Sequence, residues 1–311
     1  MKKKIVSKYF LVLVLVLNLV CLSETNVFAM SSSNYQIKWD SINAGGTDHS
    51  GSANYRLHDT LGQFGPGHSS SSSYGMDAGY RQRDEPKRLT FTVRSQDNST
   101  RVSYTAFDSA SFTVTVSSVA GYSVGDYIAV VEDVGPSQDV AVGQITEINV
   151  LVITVDKWSG DQASIAAGPA GGDDYVFNLN TNSMNLGTLT SQNVSVAVAM
   201  TEIDTNAEDG YSITVVEDHG LQLGDGPQVI DDVADNTVTA GDEEYGIETT
   251  GDNAQGANDW AITSSEQQTG DSSAFADKER VAIIYKASIE QGITPAGGYN
   301  HMTHYYAVVK Y

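Results

Sequence analysis

The stretch from Glu279 to Tyr311 constrains the fold most, because its apolar residues alternate more regularly than any others in the chain. The apolar face of this two-residue period is formed by Val281, Ile283, Tyr285, Ala287 and Ile289. The opposite face carries Arg280, Lys286 and Ser288. A turn with the composition of Thr294–Tyr299 follows, and then a final apolar run begins at His301. The pattern predicts two strands joined as a closing hairpin.

The same alternation recurs along the chain, which predicts an all-β protein. Tyr, Thr, Val, Ser and Gly are plentiful, and no helical period extends beyond two turns. Short strands separated by turn residues are typical of sandwiches and small barrels. We therefore expect tandem β-sandwich or small β-barrel domains after a cleaved signal peptide.

Residues 1–29 have the composition of a secretory signal. Four lysines precede an apolar run from Leu11 to Leu22, and Val27-Phe-Ala29 forms a small-residue cleavage site. The run is shorter than the roughly 20 apolar residues that span a bilayer. This pattern predicts export, an extracellular or cell-surface location and no membrane span after cleavage.

Charge and cysteine content restrict the partners. Removing residues 1–29 takes four lysines from 17 basic residues and Glu24 from 39 acidic ones, which leaves a formal net charge of −25. So acidic a chain does not suit nucleic acid, which rewards Lys and Arg clusters. The single cysteine, Cys21, lies in the signal, so burial and sheet hydrogen bonds must hold the exported domains together.

Composition divides the exported chain into three predicted domains. Residues 30–85 repeat a tyrosine motif about every 20 residues, at Tyr35, Tyr55 and Tyr74, which predicts short strands that stack on their copies. A charged, proline-containing stretch then marks a boundary. We assign 86–174 to a small barrel or sandwich and 175–311 to a C-terminal β-sandwich.

The residues that carry chemistry are few. Calcium is the one cofactor that the sequence suggests, through acidic loop residues Asp231, Asp232, Asp235, Asp242, Glu243 and Glu244. Three tryptophans are candidates for ligand contact, Trp39, Trp158 and Trp260. His301 and His304 fall on opposite faces of a strand, which does not favour a two-histidine metal site. No nucleophile elbow, phosphate loop or dinucleotide fingerprint is present.

The order of turn and strand segments in the last third of the chain resembles that of a family of bacterial surface domains. The segments that carry it are Leu186–Leu189, Thr205–Thr214, Tyr245–Ile247, Val281–Tyr285 and Pro295–Tyr299. They look like the C-terminal β-sandwich of WxL-type wall-binding and spore-coat-U-like, pilin-like proteins, although Trp260 has no paired second motif here. The N-terminal repeat is similar to the Tyr-x-Leu repeat of exported bacterial proteins, matched by Tyr55, Leu57, Asp59, Thr60, Gly62 and Gln63.

These features together predict a non-enzymatic, exported bacterial surface protein. It would serve as a structural or adhesive component of the cell envelope through contacts of its β-domains. Its partner would be a cell-wall polymer or another envelope protein, and free sheet edges also allow self-association. A secreted carbohydrate-binding module is the alternative, and a secreted hydrolase is a less favoured one.

Overall fold

The computed structural model describes residues 88–169, 171–224 and 226–310, together with the backbone of four short strands before residue 88. The described residues form strands, turns and loops and contain no helix, which confirms the predicted all-β class. No described segment is a helix long and apolar enough to cross a membrane. The chain divides into two compact units, Met1–Glu85 and Pro86–Tyr311.

The described part of the first unit consists of four short strands in two antiparallel pairs. They are β1 (Ser50–Gly51), β2 (Arg56–Leu57), β3 (Gly67–Ser70) and β4 (Gly75–Ala78). β1 pairs with β2, and β3 pairs with β4. β2 and β4 lie at the second and third copies of the tyrosine motif, whereas the first copy, at Tyr35, falls outside the described residues.

The second unit contains fifteen described strands. The first six are β5 (Leu89–Asp108), β6 (Thr113–Val116), β7 (Tyr127–Glu132), β8 (Asp139–Asn149), β9 (Val152–Val155) and β10 (Ser159–Gly160). The next five are β11 (Tyr175–Thr181), β12 (Ser195–Thr205), β13 (Tyr211–Glu217), β14 (Gln222–Leu223) and β15 (Glu244–Gly251). The last four are β16 (Gln267–Ser272), β17 (Ala276–Ser288), β18 (Tyr299–Asn300) and β19 (Thr303–Val309).

Six of these strands close into a small barrel. Hydrogen-bonded pairs run from β5 through β6, β9, β8, β7 and β11 and back to β5. Side chains from each strand fill the interior, among them Phe107, Ile128, Ile145 and Val176, all buried. Closure removes the free edges that an open sheet of this size would expose.

The remaining long strands build a two-sheet sandwich beside the barrel. One sheet continues from β5 through β12 and β17 to β15, and the other has the order β16, β13, β19. Their inner faces share a core in which Val215 of one sheet packs with Ala199, Ile247 and Ile283 of the other. Two antiparallel sheets that pack face to face in this way bury one face each, as period-two alternation favours.

The barrel and the sandwich share a sheet. β5 pairs through residues 89–95 with β12 in the sandwich and through residues 102–108 with barrel strands. The barrel's outer face packs on the sandwich through apolar residues such as Val131, Val142, Met200 and Ile284. β11, which follows residue 174, closes the barrel, so the predicted division at 174/175 runs through one continuous sheet.

The predicted closing hairpin is wrong in its pairing, although both of its strands exist. β17 pairs with β12 and β15, whereas β19 pairs with β13 in the opposite sheet. The segment 289–302 therefore crosses between the two sheets instead of turning within one. The alternation marked the strands correctly, but it carries no information about which strand is the neighbour.

The join between barrel and sandwich is held by buried charges on β17. Arg280 is fully buried, and its Nη2 lies 2.7 Å from Asp156 Oδ2 of the barrel. Its Nε lies 2.6 Å from Glu202 Oε2 on β12, and Glu202 also accepts a hydrogen bond from the Tyr127 hydroxyl. The guanidinium thus has a carboxylate partner on each side of the join.

Lys286, six residues further along β17, makes a second link of the same kind. Its Nζ lies 2.6 Å from Glu248 Oε2 and 2.8 Å from Asp259 Oδ1. It also donates to the carbonyl of Pro136 in the barrel, at 2.7 Å. The polar face predicted for this strand is therefore buried between two layers, and its charges are paired there.

Substitution of Arg280 tests this join. Arg280→Leu leaves the buried Glu202 without a cation and Asp156 with only the more exposed Lys278, so we expect the free energy of unfolding to fall by about 3–5 kcal/mol. Urea titration of the chain from Met30 onward measures this change. Arg94→Leu is the matched control, because Arg94 is exposed on β5 and has no carboxylate partner among the described residues. Equal effects of the two substitutions would contradict the proposed role of the buried pairs.

The dependence of the unfolding free energy on pH in the acid range provides a second prediction. Burial raises the pKa of Asp156, but hydrogen bonds and the charge of Arg280 outweigh burial and lower it from 3.8 to about 2. A lowered folded-state pKa contributes stability above pH 3.8 that is lost as the pH falls toward 2. The unfolding free energy should therefore fall more steeply over that window in the unmodified protein than in Asp156→Asn. Parallel slopes would exclude this linkage.

Candidate functional site

A cleft of about 1,090 Å³ lies at one end of the sandwich. One wall is the loop 182–189, and the other is the segment 294–306, which includes the start of β19. The floor is made by side chains of the first sheet, Val93, Ala199, Tyr245 and Tyr285. The cleft forms here because the crossing segment 289–302 leaves the sheet and passes over its end.

Hydroxyl groups tie the two sheets together at the floor of the cleft. The Tyr285 hydroxyl on β17 is hydrogen-bonded to the Tyr305 hydroxyl on β19 and lies 3.2 Å from the Thr303 hydroxyl. Tyr285 is buried in the sandwich core, with Tyr305 packed against it. A hydroxyl buried between sheets must find such a partner, and these bonds fix the ring positions.

A second chain of hydrogen bonds runs beside the first and involves His301. Its Nε2 lies 2.7 Å from the Tyr245 hydroxyl, and its Nδ1 lies 3.1 Å from Glu217 Oε2 and 3.3 Å from the carbonyl of His219. The carbonyl and the carboxylate both accept, so Nδ1 carries a proton, and in the neutral imidazole Nε2 then accepts the bond from the Tyr245 hydroxyl. The imidazole is thereby held edge-on to the Tyr245 ring, with centroids 5.0 Å apart.

All three floor tyrosines are neutral donors at physiological pH. Burial raises the pKa of Tyr245 and of Tyr305 well above 10, and the adjacent Tyr285 raises both further. Burial also raises the pKa of Tyr285. The floor of the cleft is therefore an uncharged, rigid set of aromatic rings and hydroxyls.

The wall of the cleft is uncharged as well, apart from two histidines. Among the described lining residues, none is Lys, Arg, Asp or Glu. At the chain's rate of 39 acidic residues in 311, a lining of these 28 residues would hold about three or four. The described wall therefore offers neither the paired carboxylates of a glycosidase nor a cluster of basic groups for an anion.

The rim of the cleft carries polar side chains that are not committed to other protein groups. They are Asn182, Thr188, Asn300, His304 and Tyr306, all exposed. Within the described part of the chain, none of their side chains makes a hydrogen bond. The polar groups on the floor of the cleft are therefore hydrogen-bonded within the protein, whereas the donors and acceptors on its rim are available to a ligand.

The tryptophans singled out in the sequence do not line this cleft. Trp158 is 5% exposed and packs against Phe107 in the barrel core, with ring centroids 5.2 Å apart. Trp260 is half-buried beside the sandwich core, where its indole nitrogen faces Gly256. Trp39 lies outside the described residues. The two described tryptophans therefore belong to different cores and do not form a shared groove.

The six acidic residues predicted as calcium ligands lie along the loop before β15 and at its first residue. Two carboxylates cap nearby backbone, since Asp235 accepts from Thr237 N–H and Glu244 accepts from Thr239 N–H. Among described residues, three acidic ligand oxygens come within 4.8 Å of one another only in a different group, Asp133, Asp173 and Asp174. In that group Asp174 already accepts backbone hydrogen bonds at both oxygens. Calcium stays a prediction.

Sequence reasoning missed the floor of the cleft. Tyr245 and Tyr285 stand at alternating strand positions, where a tyrosine is indistinguishable from any other core residue. Their partners lie far away in the chain, with His301 being 56 residues after Tyr245. The one available signal was the excess of tyrosine and histidine after Gly298, in the sequence Tyr-Asn-His-Met-Thr-His-Tyr-Tyr.

Comparison with family models, curated proteins and solved structures finds no match to this chain.

The hydroxyl network predicts the effect of removing one oxygen. Tyr285→Phe leaves the Tyr305 and Thr303 hydroxyls without this partner between the sheets, so we expect a loss of about 1–3 kcal/mol in unfolding free energy. Thermal and urea unfolding measure it. Tyr175→Phe is the control, because its hydroxyl bonds Gly172 in an exposed loop and should change stability by less than about 0.5 kcal/mol. A loss no larger than that of the control would show that the network adds no stability.

Proposed function

We propose that this chain is an exported bacterial surface protein that acts by binding and not by catalysis. It serves as a structural or adhesive component of the cell envelope, and its β-domains contact a cell-wall polymer or another envelope protein. The signal-like residues 1–29 and the strongly acidic exported chain support this location.

The cleft is the single observation that supports binding most strongly. Its described lining contains no Lys, Arg, Asp or Glu, its floor is fixed by hydroxyl bonds, and its rim offers polar groups without a protein partner among the described residues. Pockets that bind ligands combine apolar and aromatic surface with a few placed polar groups. The lack of a carboxylate in the described lining gives a hydrolase less support than a binding site.

The rigid join between barrel and sandwich suits a protein that transmits load between partners. β5 runs through both bodies, Arg280 joins them with buried ion pairs, and Lys286 donates a hydrogen bond from the sandwich to the Pro136 carbonyl in the barrel. A binding cleft on such a body keeps its geometry when the rest of the molecule is pulled or anchored.

Cell fractionation with protease shaving tests the surface role. We expect the chain to stay with the envelope of intact cells and to be removed by externally added protease. A variant lacking residues 2–29 is the matched control, and it should remain inside the cells, protected from the protease. Accumulation of the unmodified chain free in the medium would overturn the proposed function.

A further inference from the structure

We infer that the cleft at the end of the sandwich binds a neutral oligosaccharide, presented as a segment of an extended glycan. The inference rests on the proposed function, because it names the ligand class of that same binding site. It places glycan recognition on tyrosines and amide side chains of the cleft, and not on the tryptophans of the two cores.

The first step is charge. A chain with 39 acidic and 17 basic residues repels polyanions in general, and the described lining offers no Lys or Arg that would offset this repulsion. The lining equally offers no Asp or Glu to pair with a cationic ligand. A ligand that buries itself here without leaving an unpaired charge is therefore neutral.

The second step is the aromatic surface. Tyr306 lies on the outward face of β19 and is 48% exposed, so its ring is available to a ligand at the mouth of the cleft. Tyr299 stands across the turn from Pro295, and its hydroxyl donates to the Pro295 carbonyl at 2.9 Å, which holds the ring in place. Sugar rings have apolar C–H faces that pack on aromatic rings in this way.

The third step is hydrogen bonding. A saccharide presents many hydroxyls, each of which both donates and accepts, and amide and imidazole groups can meet either need. Asn182 and Thr188 stand on the loop wall and Asn300 and His304 on the opposite wall, with no protein partner among the described residues. A hydroxyl-rich ligand between the walls would satisfy both sets at once.

The fourth step separates a glycan from a peptide. Strand addition draws its affinity from a main-chain ladder, and β19 offers one such edge, because its described pairing is with β13 alone. The opposite wall, 182–189, is a loop that contributes side chains instead of a second ladder. The cavity volume of about 1,090 Å³ also reaches the upper end of the range for small-molecule sites, about 300–1,000 Å³, which suits several sugar rings.

Isothermal titration of the exported chain with three neutral hexasaccharides tests the inference. The probes are cellohexaose, maltohexaose and N-acetylchitohexaose, and hexagalacturonate serves as the anionic counterpart. We expect at least one neutral probe to bind with a Kd below about 1 mM and the anionic probe not to bind.

Two substitutions place the binding in the cleft. Tyr306→Ala should weaken the affinity about tenfold, near the upper end of what one aromatic contact contributes. Asn300→Ala should weaken it about fivefold, since one net hydrogen bond is lost. Val308→Ala is the matched control: it is exposed on the same face of β19 but does not line the cleft, so the affinity should not change.

Three results would overturn the inference. They are no binding of any neutral hexasaccharide, equal binding of hexagalacturonate, and an affinity that Tyr306→Ala leaves unchanged. Binding of an uncharged Thr/Val heptapeptide in place of all three glycans would assign the cleft to strand addition instead. None of these results affects the outcome of the shaving experiment. If the chain is shaved from the surface yet binds no glycan, the glycan inference fails and the proposed surface role stands.

Discussion

The buried charges of β17 are the constraint on which the described architecture depends. This strand lies between the barrel and the second sheet of the sandwich, so both of its faces are covered. A charged side chain on either face is therefore not solvated by water. Arg280 and Lys286 are tolerated because carboxylates and a carbonyl from three directions meet them. A slip of one residue would bury both cations without partners, and the register of the sheet is thereby tied to the docking of the barrel.

Local alternation predicted the strands. Which strands pair, and which of their faces are buried, depends on long-range contacts that alternation does not reveal. The periodicity of 281–289 located β17, and the apolar run at 127–131 marked β7, a barrel strand that is buried on both faces. The run at 150–155 contains β9, but Val150 and Leu151 are exposed in the turn before it and only alternate residues of β9 are buried. It did not predict that the polar face of β17 is buried, because the partners Asp156 and Glu202 lie 124 and 78 residues away in the chain. Nor did it predict that β17 and β19 belong to different sheets, because turn residues are equally common in crossing segments.

The candidate site follows from the same limitation. Tryptophan and carboxylate are the residue types that a sequence draws attention to, yet the described tryptophans fill two separate cores. The cleft is made instead from tyrosines and a histidine at ordinary core positions, whose importance appears only when two sheets bring them together. Composition did not predict an uncharged ligand site either, because the chain as a whole is acidic while the described lining of the cleft contains no Asp or Glu.

The shared strand β5 has a consequence for the order in which the protein is made. As the chain emerges from its N-terminus, the barrel can close as soon as Thr181 is available, because β11 is its last strand. The first six residues of β5, Leu89–Arg94, then lack a partner until β12 follows, beginning 14 residues after Thr181, and form a free edge meanwhile. Folding intermediates with such edges are prone to aggregate, so a chain that folds in this order gains from protection of the edge until β12 pairs with it.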